Sequence, residues 1–184
     1  NTNVWAAYAK PGATFDAYSK VLILDCFVQF KEDWQKDYNL QRIGLSGRVS
    51  DKDAEKIKKR LAEEFNKIFA RELTSNGHPV VDEAGPDVLL LRPALVNVDV
   101  AAPDVMLAGG TSIYIRSAGS MTLFMELYDS LTGELLARVI DPQADDPAFM
   151  ERASRVSNRA AADRILRRWA ALLAAHLGDV HDGE

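Results

Sequence analysis

The feature that most constrains the fold is the stretch between Met121 and Asp141, which reads MTLFMELYDSLTGELLARVID. From Met121 to Tyr128 the odd positions hold only Met and Leu, and the even positions hold Thr, Phe, Glu and Tyr. This period of two predicts a β-strand. Asp129 can accept hydrogen bonds from the backbone that follows it, and Gly133 can adopt a left-handed conformation. The sequence therefore predicts a bulged β-hairpin, with residues 135–140 as its returning strand.

Two segments have the period of amphipathic helices. The first begins after a capping serine, Ser50, and ends at Gly77, which suits the position just after a helix. The second begins near Ser157 or Asn158 and ends at Gly178. Their apolar stripes are Ala54, Ile57, Leu61, Phe65, Ile68 and Phe69 in the first, and Ala161, Ile165, Trp169, Leu172, Leu173 and Leu177 in the second. Each helix therefore has one face to bury.

Further strands are predicted on either side of the first helix. Residues 21–24 are apolar at every position, and from Cys26 to Phe30 the apolar residues continue on one face only, which predicts a central strand that is covered on both faces at first and half-exposed near its end. Residues 88–100 predict the next strand, in which Pro93 requires an edge position or a bulge. The helix between these strands predicts a right-handed crossover that makes them parallel. Residues 101–118 are open to two interpretations, a long loop or a small hairpin with residues 113–115 as one arm.

This order of elements predicts an α+β fold. We expect a single two-layer domain over residues 17–178, in which a mixed sheet of about four to five strands carries both amphipathic helices on one face. Residues 1–16 are predicted to be a lead-in arm and residues 179–184 a frayed tail. The net charge of −5 argues against a global affinity for nucleic acid or anionic lipid. No run approaches the roughly 20 apolar residues that a membrane helix needs.

The residue types that carry catalysis or bind metals are sparse. The single cysteine, Cys26, falls in phase with apolar neighbours and is expected to be a buried thiol. His78 lies in the turn after the first helix, and His176 lies in the last turn of the second. The glycines have neither Walker nor dinucleotide-binding spacing. We therefore predict no catalytic residue, no cofactor, no metal site and no enzymatic activity.

Three groups of side chains are candidates for binding. Large aromatic residues among charges after the first strand are typical of interfaces, although Trp34 can equally cover the core. The segment 101–118 offers a second contact surface, and the arginines of the last helix offer a third, although they can equally form a solvated face. The interaction candidates are Trp34, Tyr38, Met106, Tyr114, Arg164 and Arg167.

Six segments of the chain, taken in order, resemble an uncharacterised domain-of-unknown-function family of Gram-negative bacterial envelope lipoproteins. These segments are residues 8–13, 33–39, 77–82 with 85–89, 118–123, 127–130 with 132–138, and 157–160. The resemblance implies an exported protein whose signal peptide ends at a lipidated cysteine upstream of Asn1. It also implies a domain that faces the periplasm from a lipid anchor in the outer membrane. No activity comes with the resemblance.

The first functional hypothesis is a non-catalytic binding, assembly or scaffold module of the envelope. Its partner is then an envelope protein or a second copy of the chain, with a membrane anchor outside this chain and no nucleic acid. The alternative is a small-ligand carrier with a cavity between the sheet and the helices, lined by Met121, Phe124 or Tyr128, or beneath residues 101–118. An enzyme is the least favoured reading, since no nucleophile, base and orienting group stand out.

Overall fold

The computed structural model describes residues 6–40, 48–100, 114–115, 119–145, 151–152 and 155–178. Within those residues, no helix combines the length and the hydropathy of a membrane span. The elements in chain order are β1 (Ala6–Ala9), β2 (Lys20–Ile23), β3 (Phe27–Phe30), α1 (Trp34–Leu40), α2 (Asp51–Ser75), β4 (Val88–Val100), β5 (Tyr114–Ile115), β6 (Gly119–Asp129), β7 (Leu135–Asp145), β8 (Glu151–Arg152) and α3 (Arg155–Gly178).

The main sheet is mixed and open, and its strands follow the order β1-β7-β6-β4-β2. β3 also pairs with β4, so β2 and β3 lie one after the other along the same edge of β4. Both are parallel to β4, whereas the pairs β4–β6, β6–β7 and β1–β7 are antiparallel. The predicted α+β fold is confirmed, and so is the parallel relation of the strands on either side of α2. The short strands β5 and β8 form a separate antiparallel pair.

The hairpin has the predicted turn. The carboxylate of Asp129 accepts hydrogen bonds from the backbone amides of Leu131 at 2.9 Å and Thr132 at 2.7 Å. Gly133 has a φ of +69° and donates its amide to the carbonyl of Asp129 at 3.0 Å. The two strands extend beyond the predicted segment, from Gly119 on one side to Asp145 on the other.

Helix α2 begins and ends with the predicted signals. Ser50 and Asp53 form a reciprocal capping box, in which each side chain accepts a hydrogen bond from the other residue's amide. Hydrogen bonds from Ser50 lower the pKa of the Asp53 carboxyl. Gly77 has a φ of +88°, and the amide of His78 closes the helix end by donating to the carbonyl of Leu73. Helix α3 begins at Arg155, slightly before the predicted Ser157 or Asn158.

The core lies between one face of the sheet and the helices α2 and α3. Phe65 and Phe69 of α2 are fully buried, and their rings stack at 4.0 Å between centroids. The odd-numbered residues of β6 contribute the sheet side of this core, because side chains alternate across a strand. These residues are Met121, Leu123, Met125 and Leu127. Trp169 of α3 is also buried here, and its indole N–H donates to the carboxylate of the equally buried Asp141 at 2.7 Å.

The prediction of a central strand at residues 21–24 is wrong. β2 lies at the edge of the main sheet, and Leu24, just after it, is 39% exposed. The outer edge of β2 instead meets the chain after α2. There the amide of Val21 donates to the carbonyl of Pro79 at 3.0 Å, and Val81 donates to Val21 at 2.9 Å.

Pro93 was predicted to need an edge position or a bulge, and it lies inside the central strand β4. The amide of Leu24 donates to the carbonyl of Leu91, so the backbone polar groups of Leu91 point towards β2. Those of Pro93, two residues later in the same strand, point to the same side. β2 ends opposite Leu91, and β3 begins opposite Ala94. The missing amide of Pro93 therefore falls where the neighbouring strand is interrupted.

The predicted lead-in arm contains part of the sheet. Ala6–Ala9 form β1, which pairs with β7 as an outer strand. Tyr18, in the loop between β1 and β2, donates its hydroxyl to the carboxylate of Asp129 at 2.8 Å. Burial, together with this hydrogen bond and the charge of Asp129, raises the pKa of Tyr18 to about 12. The predicted tail, residues 179–184, lies outside the described residues.

Candidate functional site

Helices α2 and α3 pack against one face of the main sheet, and we call the opposite face, which no helix among the described residues covers, the uncovered face. Since side chains alternate along a strand, the even-numbered residues of β6, and those of β4 before the register shift that follows Val96, project onto it. The paired positions of β7 and β1 extend this face outwards, and Phe27 of β3 borders it next to Ala94. Its central residues are Leu90, Arg92, Ala94, Phe124, Glu126, Tyr128, Arg138, Ile140 and Tyr8.

A row of polar side chains crosses the uncovered face at directly paired positions of four strands. Arg92 of β4 lies opposite Glu126 of β6, which lies opposite Arg138 of β7 and then Tyr8 of β1. Arg138 donates from Nε and Nη2 to Glu126 Oε1, at 3.0 Å and 2.6 Å. Tyr128 donates its hydroxyl to the other carboxylate oxygen at 2.7 Å. We call the three ionised residues, Arg92, Glu126 and Arg138, the charged row.

Glu126 is only 6% exposed although no described helix covers it, because its own neighbours lie over it. Burial raises the pKa of its carboxyl. The hydrogen bonds from Tyr128 and Arg138 and the charges of Arg138 and Arg92 outweigh burial, and the pKa lies below its ordinary value. Glu126 is therefore ionised at neutral pH. One carboxylate shared by two guanidinium groups leaves the charged row with a net charge of +1.

Apolar and aromatic side chains flank the charged row. The guanidinium of Arg138 lies 5.5 Å from the centroid of the Phe124 ring, within range of a cation–π contact. Phe27 is 60% exposed and Tyr8 is 51% exposed. Aromatic residues and arginine are enriched in protein interfaces relative to the rest of the surface. The uncovered face therefore carries residue types that are enriched in interfaces.

The charged row is suited to binding rather than to proton transfer. A general base works best with a pKa near the operating pH and a lone pair aimed at its substrate. The pKa of Glu126 is lowered, and both of its oxygens already accept hydrogen bonds. Its carboxylate instead fixes the positions of the donors around it.

The structure places Trp34 and Tyr38, two of the predicted interaction residues, in a small second core. Trp34 is 5% exposed and Tyr38 is 8% exposed. The ring of Trp34 stacks on Phe30 at 4.0 Å between centroids, and its indole N–H donates to the carbonyl of Val100 at 3.2 Å. Both side chains therefore pack the junction of α1 with the sheet, which is the alternative that the sequence left open for Trp34.

A polar surface cleft of about 560 Å³ lies beside this second core. It is lined by lysines and carboxylates, several of which already pair with one another. Lys58 Nζ lies 2.8 Å from Glu55, and Lys36 Nζ lies 4.0 Å from Asp33. Asp33 has a φ of 56° in the left-handed region. The cleft therefore carries mixed, largely compensated charge, with no pattern that selects one ligand class.

The cavity that the sequence suggested for a ligand carrier is not assembled from its three proposed residues. Met121 is buried on the helix side of β6. Phe124 and Tyr128 lie on the uncovered face, because they occupy even positions of the same strand. The sheet therefore separates Met121 from the other two.

The remaining predicted residues are dispersed. Arg164 and Arg167 are exposed on α3. Tyr114 belongs to β5, and Met106 lies outside the described residues. Cys26 is buried, which raises the pKa of its thiol to about 12. Within the described parts of the chain, no three His, Cys, Asp or Glu residues converge to hold a metal ion.

Sequence reasoning named no residue of the charged row as a site. A partial signal existed, because Glu126 and Arg138 lie on the two strands of the predicted hairpin and carry opposite charges. Arg92 and Tyr8 carried no such signal, since their positions depend on pairing with strands that are distant in sequence.

Residues 1–173 match the model of a family described as "Protein of unknown function (DUF3313)". The chain belongs to this family. The expected resemblance to an uncharacterised domain family is thereby confirmed. No curated protein matches the chain.

Several solved structures are similar to this member of the family. One is the PelC dodecamer from Paraburkholderia phytofirmans, with 11% identity, a TM-score of 0.45 and coverage of 91% of this chain and 97% of that chain. Another is the DUF330 protein XCC0632 from Xanthomonas campestris, with 12% identity, a TM-score of 0.46 and coverage of 95% and 91%. A third is a candidate lipoprotein from Caulobacter crescentus, with 13% identity, a TM-score of 0.33 and coverage of 65% and 85%. At these values, none of the three carries a function or an assembly over to this chain.

Proposed function

We propose that this protein is a non-catalytic binding module of the bacterial cell envelope, and that its uncovered face docks a partner protein. The observation that carries the proposal is the uncovered face itself, which combines exposed aromatic side chains with two arginines around a buried carboxylate. The proposal includes an N-terminal lipid anchor outside this chain, in the outer membrane, with the domain on the periplasmic side.

The distribution of exposed apolar residues supports docking at the uncovered face. Among the described residues, five large apolar side chains are exposed. Tyr8 lies on the uncovered face, Phe27 borders it, and Leu24 directly follows the edge strand β2. Antiparallel sheets can leave one face to solvent, but that face is then commonly polar. A sheet face that carries Phe124, Ile140, Leu90 and Ala94 instead favours a covering partner.

The envelope part of the proposal rests on the segments that resemble Gram-negative envelope lipoproteins. It is tested by fractionating the native cells that make the protein and by labelling them with a radioactive or clickable fatty acid. We expect the full-length protein to sediment with membranes and to incorporate the label. An unlabelled protein in the soluble periplasmic or cytosolic fraction would overturn this part and leave the docking part to its own test.

The docking part is tested by photocrosslinking in living cells. The photoreactive residue p-benzoylphenylalanine is placed in the full-length protein at Phe27 or at Phe124, one at a time. The matched control carries it at Leu40, which is 73% exposed but belongs to α1. We expect a discrete higher-mass adduct from the two positions on or beside the uncovered face and none from Leu40. Equal labelling at all three positions, or no adduct from Phe27 and Phe124, would refute docking at this face.

A further inference from the structure

We propose that the protein partner brings a carboxylate to Arg92 in the centre of the uncovered face. This inference rests on the proposed docking function and specifies the chemistry of the partner. It follows from the unequal roles of the two arginines of the charged row and from the charge that they leave on the surface.

Arg138 is committed to the charged row. Two of its nitrogens donate to Glu126 Oε1, and its guanidinium also lies over the ring of Phe124. Its side chain is 42% exposed. Arg138 is therefore held in place and has little freedom to reach a partner.

Arg92 is far less engaged. In the described part of the chain, its one ion-pair contact joins Nη1 to Glu126 Oε2 at 3.5 Å, which is too long for a good hydrogen bond. Its side chain is 68% exposed. A guanidinium has five N–H donors in a planar fork that matches a carboxylate. Most of that capacity faces solvent, so Arg92 is the group of the charged row that is available to a partner.

Glu126 cannot neutralise both arginines. Its Oε1 accepts both bonds from Arg138, and its Oε2 accepts the hydroxyl of Tyr128. The charged row keeps a net charge of +1 on a chain whose net charge is −5. An acidic group on the partner would complete the alternation of charges. Docking of the flanking apolar side chains would exclude water and strengthen that new pair.

The same charge argues against two other occupants. If two copies met face to face, each charged row would meet the other with its excess positive charge, and juxtaposed like charges oppose association. An anionic membrane attracts surfaces roughly in proportion to their basic residues, at about 1 kcal/mol for each Lys or Arg near the surface. One net positive charge is little attraction for a chain whose net charge is −5.

The test uses the photoreactive residue at Phe27, which lies beside the charged row without belonging to it, and combines it with substitutions of Arg92. We expect Arg92→Glu to lower the yield of the partner adduct at least tenfold and Arg92→Gln to lower it about threefold. Arg92→Lys should retain most of the adduct because it keeps the charge. The matched control is Arg71→Glu, the same charge reversal at an exposed position of α2, and it should leave the yield unchanged.

A charge exchange completes the test. Mass spectrometry of the adduct identifies the partner segment, and its carboxylates are replaced by lysine one at a time. One of these replacements should restore the adduct with the Arg92→Glu variant. Urea unfolding of each purified variant shows whether a lower adduct yield comes from a less stable protein. The neutral Arg92→Gln variant is included because, unlike Arg92→Glu, it places no negative charge beside Glu126.

The outcomes separate this inference from the proposed function. An adduct that persists in Arg92→Glu overturns the acidic contact and leaves docking at the uncovered face standing. An adduct with the mass of two copies of the chain overturns the inference in favour of self-association. Binding of the purified domain to phosphatidylglycerol vesicles that is lost in Arg92→Glu overturns it in favour of a membrane surface. No adduct from Phe27 in the parent protein overturns the docking function as well.

Discussion

The carboxylate of Glu126 stabilises the fold only while it is ionised, and Glu126→Gln measures how much. The substitution keeps the size of the side chain and one carbonyl oxygen. It removes the negative charge that accepts two hydrogen bonds from Arg138 and one from Tyr128. A hydrogen bond to a charged group is worth about 1.5–3 kcal/mol. Arg138 is 42% exposed and can regain water, so we expect a total loss near the lower end of that range, about 1.5 kcal/mol near neutral pH.

The sign of the pH dependence follows from the pKa of Glu126. That pKa is lowered in the folded protein, whereas the unfolded chain has a pKa of about 4.3. The contribution of the carboxylate is therefore fully present above the unfolded pKa and is lost as the pH falls through the folded pKa. The glutamine variant has no such titration. The difference in the free energy of unfolding between parent and variant should shrink from about 1.5 kcal/mol near neutral pH towards zero once the pH is below both pKa values.

The assay is urea unfolding followed by far-ultraviolet circular dichroism over a series of pH values. Other carboxylates titrate equally in both proteins, so the difference between them reports on Glu126. Glu63→Gln is the matched control, because Glu63 is exposed on α2 and lies 3.9 Å from Lys59. It should change stability by less than about 0.5 kcal/mol. A Glu126→Gln difference that stays constant with pH, or that is absent near neutral pH, would refute the reasoning.

Three further predictions concern single residues. Trp169→Phe removes the N–H that donates to the buried Asp141 and should lower stability by about 1–3 kcal/mol, as measured by urea unfolding. Gly133→Ala should lower stability by about 1 kcal/mol, because the φ of Gly133 is +69° and an L side chain is strained in that conformation. The added Cβ would meet open space, so a clash would not be the cause. Cys26 should resist an aromatic disulfide reagent at pH 8 in the native protein and react at once in urea, because burial raises the pKa of its thiol to about 12.

Each of these predictions has its own control. Asp141→Asn should weaken the effect of Trp169→Phe, since the charged acceptor is gone, and equal effects in both backgrounds would contradict the assignment. Gly178 also has open space but no positive φ, so Gly178→Ala should not reproduce the loss seen at Gly133. Rapid labelling of native Cys26 would mean that its site opens far more readily than the burial of its thiol implies.

The sequence predicted those parts of the fold whose signals are local. Ser50 and Gly77 bound α2 because capping depends on neighbouring backbone groups. The hairpin turn depends on Asp129 and Gly133 in the same way. The position of residues 21–24 depends instead on which strands pair with them. An apolar run of four cannot distinguish a central strand from an edge strand that meets a passing segment.

The burial of Trp34 and Tyr38 could not be predicted from the sequence for a similar reason. Trp34 and Tyr38 stand among charged residues in the sequence, which is typical of an exposed aromatic patch. In the structure, Phe30 stacks on Trp34, and the carbonyl of Val100 accepts its indole N–H. Val100 is distant in sequence, so the residues near Trp34 do not indicate that its indole N–H has a hydrogen-bond acceptor inside the protein.

The position of the charged row follows from the alternation of apolar residues in β6, because burying the apolar residues on the helix side places the residues between them on the uncovered face. A slip of one residue in the pairing of β6 would exchange its two faces and bring Glu126 against the helices in place of Met125 or Leu127. The apolar alternation of β6 therefore places Glu126 on the uncovered face. There Glu126 is 6% exposed and holds Arg138, while the side chain of Arg92 stays 68% exposed. The same carboxylate thus stabilises the fold and leaves one arginine available for the proposed partner.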